Sequence, residues 1–184
     1  MLIAILGPDG TGKTTLAKKL GEDVDNLDYI YFGYNKDNRR YKYFQDFIKS
    51  DLNNFFLIIL RKVLVFINDL YYYHLARKKN IISDRCPIDS YIGTKIRGSK
   101  MKYYFGFLSF ISPKPGYVIL LEGDPQIIFE RKQEIPVETI QSTVKNYKEY
   151  LKANKIKNTC IDTTKNNIER TYQIALVIIN EYVK

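Results

Sequence analysis

The segment Gly7 to Thr14, GPDGTGKT, has the clearest chemical pattern in the sequence. It fits the spacing G-x-x-x-x-G-K-[ST], in which backbone N–H groups surround phosphate oxygens, the lysine reaches the β and γ phosphates and the final hydroxyl ligates Mg²⁺. The pattern therefore predicts a site for ATP and Mg²⁺. It leaves open what happens to the phosphate. The residues expected to bind the nucleotide are Gly10, Thr11, Gly12, Lys13, Thr14 and Thr15.

Asp84 and Arg85 form a second candidate group, within SDRCPIDS. Asp84 ends a predicted strand, and ligands of doubly wound sheets bind beyond the carboxyl ends of the strands. A carboxylate there can hold Mg²⁺ beside Thr14 or accept a proton from an attacking hydroxyl. The planar guanidinium of Arg85 can bind a phosphate. Both side chains can equally well cap the helix that follows.

Short apolar segments alternate with helical patterns, which predicts a parallel sheet with helices on both faces. The predicted strands are LIAIL (2–6), DYIYF (28–32), NIISD (80–84), YVILL (117–121) and NTCID (158–162). Apolar residues at helical spacing predict helices over 52–70, 137–151 and 168–179. Asp124-Pro125 predicts one further helix start. With the phosphate loop, this order indicates the α/β three-layer sandwich of P-loop NTPases, with five parallel strands.

The composition of the 184 residues, with a formal net charge of +9, is that of a folded protein that favours anionic ligands. Two cysteines and no long uninterrupted apolar segment predict a soluble, cytoplasmic protein without a membrane partner. The cations are spread along the chain, and a nucleic-acid partner is not expected. Cys86 would be reactive only with a lowered pKa. The single histidine, His74, is expected to be a partly buried packing residue.

GPDGTGKTT followed by SDRCPIDS resembles the thymidylate kinases, which are nucleoside monophosphate kinases with a P-loop. The order of elements is similar throughout, so the resemblance covers the whole chain, 1–184, as one P-loop kinase domain. LLEGDPQIIFERK resembles the fourth strand of that family and the arginine that opens its lid. CIDTTKN resembles the fifth strand and the loop that borders the adenine. The resemblance implies a short lid around 131–136.

On the ATP side, the resemblance implies that Lys13 and Thr14 bind ATP and Mg²⁺ and that Asp84 belongs to the magnesium shell. Arg131 would lie against the adenine and, with Lys132, approach the phosphoryl group being transferred. Position 10 is glycine, so the phosphate loop supplies no arginine to the transition state. The resemblance therefore implies that this charge comes from the lid.

On the acceptor side, the resemblance implies that Arg85 binds the acceptor phosphate. Asp9 would bind the 3′-hydroxyl of the acceptor sugar. Arg61 and one of Arg39 or Arg40 would be further acceptor-binding arginines. A homodimer packed through the long helix before the third strand is also implied.

Four positions expected to read the acceptor base differ from the family. Cys86 replaces an aromatic residue, a tyrosine-glutamine pair falls on Gly93 and Thr94, and Leu57 stands where an aromatic is expected. The expected activity is ATP- and Mg²⁺-dependent phosphoryl transfer to a nucleoside monophosphate, with dTMP the first acceptor to test. Alternatives are a deoxynucleoside or other small-molecule kinase of the same fold, and a slowly hydrolysing nucleotide-binding regulatory module.

Overall fold

The computed structural model describes residues 1–31, 60, 67, 70–71 and 74–183. Arg39, Arg40, Arg61 and Leu57 lie outside these ranges, as does most of the helix predicted over 52–70. Within them, five strands and six helices have the following bounds. The strands are β1 Leu2–Leu6, β2 Leu27–Tyr29, β3 Asn80–Ser83, β4 Tyr117–Glu122 and β5 Asn158–Asp162. The helices are α1 Lys13–Asp23, α2 Pro87–Ile96, α3 Lys102–Ile111, α4 Pro125–Arg131, α5 Val137–Ala153 and α6 Ile168–Tyr182.

The five strands form one sheet in the order β2-β3-β1-β4-β5, and every neighbouring pair is parallel. The predicted fold class is therefore confirmed. The second strand was predicted over 28–32, but it begins one residue earlier and already ends at Tyr29. It is an edge strand whose ladder partner is β3, and its pairing ends where Tyr29 meets Ile82.

Alternation along the central strand explains the three layers. Ile3 and Ile5 of β1 belong to a buried cluster with residues of α1 and α6, whereas Ala4 and Leu6 belong to a cluster with residues of α2 and α5. Successive side chains of a strand point to opposite faces, so helices cover both faces of the sheet. The helices predicted over 137–151 and 168–179 are confirmed as α5 and α6.

The chain leaves the carboxyl end of β1 at the point where the strand order reverses, between β3 and β4. Ligands of open α/β sheets bind at such a switch point. The loop after β1, the end of β2 and the residue after β3 consequently lie at one edge of the sheet. Among the described residues, no helix is long and apolar enough to span a membrane. The expectation for His74 was wrong, since its side chain is exposed on the helical stretch that precedes β3.

Candidate active site

The phosphate loop joins β1 to α1 and packs closely against the end of β4. A Cβ on Gly7 would lie 2.3 Å from the carbonyl oxygen of Leu121, so only glycine fits there. Gly12 precedes α1 with φ of 84°, a left-handed conformation that glycine adopts without steric cost. Within the described part of the chain, no side chain caps the first turn of α1. The N–H groups of this turn are thus available to a phosphate.

Lys13, the P-loop lysine, is folded back onto its own loop. Its ammonium donates to the carbonyl of Pro8 at 2.8 Å and to the carboxylate of Asp9 at 3.2 Å, and its side chain is 6% exposed. Burial lowers the pKa of Lys13, and the neighbouring carboxylate of Asp9 opposes that shift. Lys13 must exchange these oxygens for phosphate oxygens when a nucleotide binds, which keeps its charge paired throughout.

Asp9 links the two candidate half-sites. Its Oδ1 lies 3.2 Å from the Lys13 ammonium and 3.6 Å from the Arg85 guanidinium. Burial acts to raise the pKa of Asp9, but Lys13, Arg85 and Lys132 outweigh it, and the pKa is lowered. The negative charge in the phosphate loop is therefore compensated by three cations, one of which is the arginine that the sequence places on the acceptor side.

Asp84 follows β3, is 1% exposed, and has a hydroxyl on each carboxylate oxygen. Thr14 donates to its Oδ2, and the phenol of Tyr29 donates to its Oδ1 at 3.1 Å. Burial, reinforced by the charge of Asp84, raises the pKa of Tyr29, so the phenol stays protonated and acts as a donor. The structure thus brings together Thr14 and Asp84, the two residues predicted to hold the metal.

The Thr14 hydroxyl and Asp84 carboxylate are suitable oxygen ligands for Mg²⁺. This cation usually binds through one or two protein oxygens, substrate phosphates and water. In the described ranges, no cluster of three or more His, Cys, Asp or Glu side chains could hold a metal. The donor set therefore fits Mg²⁺ that arrives with a nucleotide better than a metal caged by protein ligands alone.

Arg131, the last residue of α4, lies against the loop after β5. Its guanidinium donates to the carbonyl of Thr163 at 2.9 Å and to its hydroxyl at 3.4 Å. Asp124 caps the start of α4, because its carboxylate accepts from the N–H groups of Gln126 and Ile127. The helix start predicted at Asp124-Pro125 is confirmed. Arg131 is thus placed at the loop expected to border the adenine.

The segment from 132 to 136 connects α4 directly to α5, in the place predicted for the lid. Within it, Lys132 forms an ion pair with Glu134 at 3.0 Å. Lys132 is one of the cations that lower the pKa of Asp9. Its charge therefore acts on the same carboxylate as Lys13 and Arg85.

Two of the positions where the sequence differs from thymidylate kinases lie at opposite ends of α2, with Cys86 as its N-cap and Thr94 in its last turn. Cys86 is 4% exposed, and burial raises the pKa of its thiol well above the usual range, so the lowered pKa that a reactive thiol would need is absent. The Thr94 hydroxyl is buried and donates to the carbonyls of Ser90 and Tyr91. Because that hydroxyl is used within its own helix, it does not take the place of a base-reading side chain.

Two tyrosines and a carboxylate of the site were not singled out from the sequence: Tyr29, Asp89 and Tyr147. Tyr29 lies inside the strand predicted over 28–32, so its position at the end of the strand that neighbours β3 was not foreseen. Asp89 has the N3 spacing of a capping box after Cys86, but cysteine is an unusual cap and hides the pattern. Tyr147 reads only as one member of an apolar helical stripe.

The parallel sheet, the phosphate loop and the residues at its edge define the P-loop fold shared by nucleoside and nucleotide kinases. Solved structures similar to the chain include deoxyadenosine kinase from M. mycoides, solved with the products dCMP and dCDP, and thymidylate kinase from Candida albicans. For the first, the TM-score is 0.65 at 18% identity, over 98% of this chain and 100% of that one. For the second, it is 0.69 at 20% identity, over 98% and 91%.

A further structure of the M. mycoides deoxyadenosine kinase, with bound dATP, has a TM-score of 0.65 at 20% identity over 98% of this chain and 99% of that one. Neither a protein-family model nor a curated protein sequence matches the chain. The resemblance to thymidylate kinases is therefore confirmed at the level of the fold, which deoxyadenosine kinase shares to a similar degree.

Proposed function

We propose that the chain is an ATP- and Mg²⁺-dependent kinase that transfers the γ-phosphoryl group to a small nucleoside-type acceptor. The observation that carries this proposal is the position of Asp9 between Lys13 and Arg85. Lys13 and the free N–H groups of α1 suit the phosphates of ATP. Arg85 adds a second cation against the same oxygen of Asp9, and its guanidinium suits the phosphate of an acceptor.

The residues divide the chemistry between positioning and charge. Lys13 and the phosphate loop hold the β and γ phosphates, while Arg85 and Asp9 hold the acceptor beside them. Mg²⁺, held by Thr14 and Asp84, would neutralise part of the charge on the phosphates. Phosphoryl transfer needs little covalent chemistry from a protein, so aligning the two substrates supplies most of the catalysis.

For the acceptor, we propose a deoxynucleoside monophosphate, with dTMP as the first compound to test. The side chain of Arg85 is 42% exposed and its guanidinium suits an incoming phosphate, and Asp9 suits a sugar hydroxyl. A deoxynucleoside is the second candidate. The fold match to deoxyadenosine kinase favours it, and so do Cys86 and Thr94, which do not form the base pocket of the thymidylate kinases.

The proposal extends to one P-loop kinase domain over 1–184, with a short lid at 131–136, and to a homodimer. Leu60, Ile67 and Tyr71 support the dimer, since these exposed apolar side chains recur at helical spacing before β3. Sedimentation of the purified chain tests it. A monomer at micromolar concentration would contradict this part of the proposal and leave the kinase activity unaffected.

The experiment that tests the activity measures ADP formation and the phosphorylated product, with ATP, Mg²⁺ and a panel of acceptors. The panel contains dTMP, thymidine, deoxyadenosine, dCMP and no acceptor. Acceptor-dependent product is expected, and the preferred member separates the two candidates. ATP binding with no product from any acceptor would contradict the kinase proposal. Slow ADP formation that ignores the acceptor would favour a regulatory module.

Substituting Arg85→Ala separates acceptor binding from ATP binding. We expect transfer to fall by about 10² to 10³-fold, which is the scale for losing one charged transition-state contact, with ATP affinity within twofold of wild type. Arg97→Ala, at the exposed C-cap of the helix that follows Arg85, is the matched control and should retain activity. Equal activity of Arg85→Ala and Arg97→Ala would remove the acceptor argument.

A further inference from the structure

The segment that carries the acceptor arginine is short and is fixed from its far end. Asp84 and Arg85 are the only residues between the end of β3 at Ser83 and Cys86, the N-cap of α2. The position of the Arg85 backbone therefore depends on how the first turn of α2 is held. Whatever fixes Cys86 also limits where the Arg85 guanidinium can reach.

Asp89 fixes Cys86 through a reciprocal capping arrangement. The Asp89 carboxylate accepts from the Cys86 N–H at 2.7 Å, while the Cys86 carbonyl accepts from the Asp89 N–H at 2.9 Å. The thiol of Cys86 accepts from the same N–H group. A carboxylate in the first turn is also favoured by the helix dipole. Asp89 thus secures the N-terminus of α2 to the residue next to Arg85.

The second carboxylate oxygen of Asp89 is taken by another helix. The phenol of Tyr147, on α5, donates to Asp89 Oδ1. The Tyr147 side chain is 3% exposed and packs in the buried cluster that contains Cys86, Ile88 and Leu151. With one oxygen on Cys86 and the other on Tyr147, the carboxylate has one orientation, and that orientation is set by α5.

The charge of Asp89 also acts on the active site directly. Burial opposes the charged form of Arg85, but the carboxylates of Asp89 and Asp9 favour it, and the pKa of Arg85 is raised. The same Asp89 charge acts to raise the pKa of Lys13, against the larger effect of burial. Asp9 and Asp89 therefore attract the Arg85 guanidinium together, one from the phosphate loop and one from α2.

We propose that Asp89 and Tyr147 form a positioning pair, which holds Arg85 in place for the acceptor and links acceptor binding to α5, the helix that follows the lid segment. The pair touches neither substrate and acts through the capped segment 84–86. This inference rests on the proposed function, because it assigns a role within acceptor binding. It adds that acceptor binding depends on a buried hydrogen bond donated by Tyr147 of the neighbouring helix α5.

The test uses steady-state kinetics of the full chain with the acceptor that the panel identifies. Tyr147→Phe removes only the phenolic hydroxyl, and Asp89→Asn keeps the shape but removes the charge. We expect each to raise the acceptor KM about three- to tenfold, the scale of one lost hydrogen bond, while the ATP KM stays within twofold. Tyr150→Phe is the matched control, because it lies on the same helix and its hydroxyl bonds to Ser109 instead.

A double substitution tests whether the pair acts through Arg85. Acceptor binding is measured by calorimetry in the Arg85→Ala background, where turnover is not needed. The Tyr147→Phe effect on acceptor affinity should disappear there, since coupled residues are not additive. An effect that persists without Arg85 would overturn the proposal.

Thermal unfolding of the same variants separates positioning from a purely structural role. A lower melting temperature for Tyr147→Phe with unchanged acceptor KM would overturn the inference. Equal increases in both KM values would do the same. These outcomes are distinct from failure of the proposed function, in which the wild-type chain itself would phosphorylate no acceptor. If Asp89→Asn does not fold, Tyr147→Phe decides alone, because phenylalanine retains the packing of the ring.

Discussion

Asp9 is at the centre of the charge arrangement in the site. It faces Lys13 at 3.2 Å and Arg85 at 3.6 Å, and Lys132 adds a third positive charge. The sequence suggested that this carboxylate faces the acceptor and need not touch ATP. The structure adds that, without ligands, it pairs with the lysine of the ATP side. A carboxylate in this loop is therefore compatible with phosphate binding, because its negative charge offsets the repulsion among the surrounding cations.

Asp9→Asn should alter the acid dependence of stability. The pKa of Asp9 is lowered from 3.8 by its cations, so its contribution to stability is present above that pH and is lost as the pH falls through the lower folded value. The melting temperature of wild type should therefore decline more than that of Asp9→Asn as the pH is taken below about 4. Differential scanning calorimetry from pH 2 to 7 provides the measurement.

The control for this substitution is Asp28→Asn. Asp28 is half exposed and pairs with Lys79 at the surface, where an ion pair contributes little. Its removal should leave the difference between acid and neutral melting temperatures close to that of wild type. Because Asp9 is 36% exposed, salt should shrink its effect. Parallel acid profiles for wild type and Asp9→Asn would contradict the assignment.

Tyr29→Phe tests the phenol that holds Asp84. Loss of its hydrogen bond at 3.1 Å frees one oxygen of a buried carboxylate, so Asp84 should be less well oriented toward Thr14. We expect turnover to fall about tenfold, with a higher Mg²⁺ concentration needed for half-maximal rate. The control is Tyr117→Phe, because the Tyr117 hydroxyl bonds to Thr159 of β5. This variant should need the same Mg²⁺ concentration for half-maximal rate as wild type.

At the scale of elements, the short helix α4 connects the end of β4 to the segment 132–136 and carries Arg131 at its last position. It has seven residues, and such a short helix depends on its cap because few intrahelical hydrogen bonds form. The cap is the carboxylate of Asp124, which accepts from two backbone N–H groups. The direction of Arg131 thus depends on a residue at the opposite end of the helix.

Asp124→Ala should destabilise the fold by about 1 kcal/mol, the usual cost of losing an N-cap. For a chain of this size, that corresponds to a decrease of about 2–4 °C in melting temperature. ATP affinity should fall with it, since Arg131 loses its support. Asp124→Asn is the matched control, because asparagine caps as well as aspartate. If both variants have wild-type ATP affinity, α4 does not position Arg131 for the nucleotide.

The strands could be predicted from continuous apolar runs such as LIAIL of β1, and α5 and α6 from their apolar stripes, whereas α3 was not predicted. The phosphate loop could be predicted because G-x-x-x-x-G-K-[ST] requires a fixed geometry. The contacts within the site could not be predicted from the sequence. The bonds from Tyr29 to Asp84 and from Tyr147 to Asp89 join residues far apart in sequence, and a tyrosine in an apolar pattern gives no sign of where its hydroxyl goes.

At the scale of the whole molecule, nucleotide binding should be visible as a gain in stability. Binding to the folded state at a ligand concentration of 100 times Kd contributes about 2.7 kcal/mol. For this chain length, ATP with Mg²⁺ should raise the melting temperature by roughly 5–11 °C. Lys13→Ala should lose most of this shift. Lys19 is an exposed lysine on the same helix as Lys13, and it pairs with Glu169 of α6. Lys19→Ala should therefore retain the shift in melting temperature.

The opposite result would be informative as well. A Lys13→Ala variant that keeps the full shift would show that the phosphate loop does not bind the nucleotide. Thermal-shift measurements with the acceptor alone would then show whether the Arg85 side binds independently of the loop. The two half-sites can be separated in this way because each has its own cation.

The central strand β1 is synthesised well before the strands that pair with it. It pairs with β3, which begins at Asn80, and with β4, which begins at Tyr117. During translation at roughly 5–20 residues per second, the first strand therefore waits roughly 4–16 s before its first partner is made. Five apolar residues, LIAIL, remain without a strand beside them for that time. The strand that supports the phosphate loop is thus a segment of the nascent chain that needs protection from aggregation.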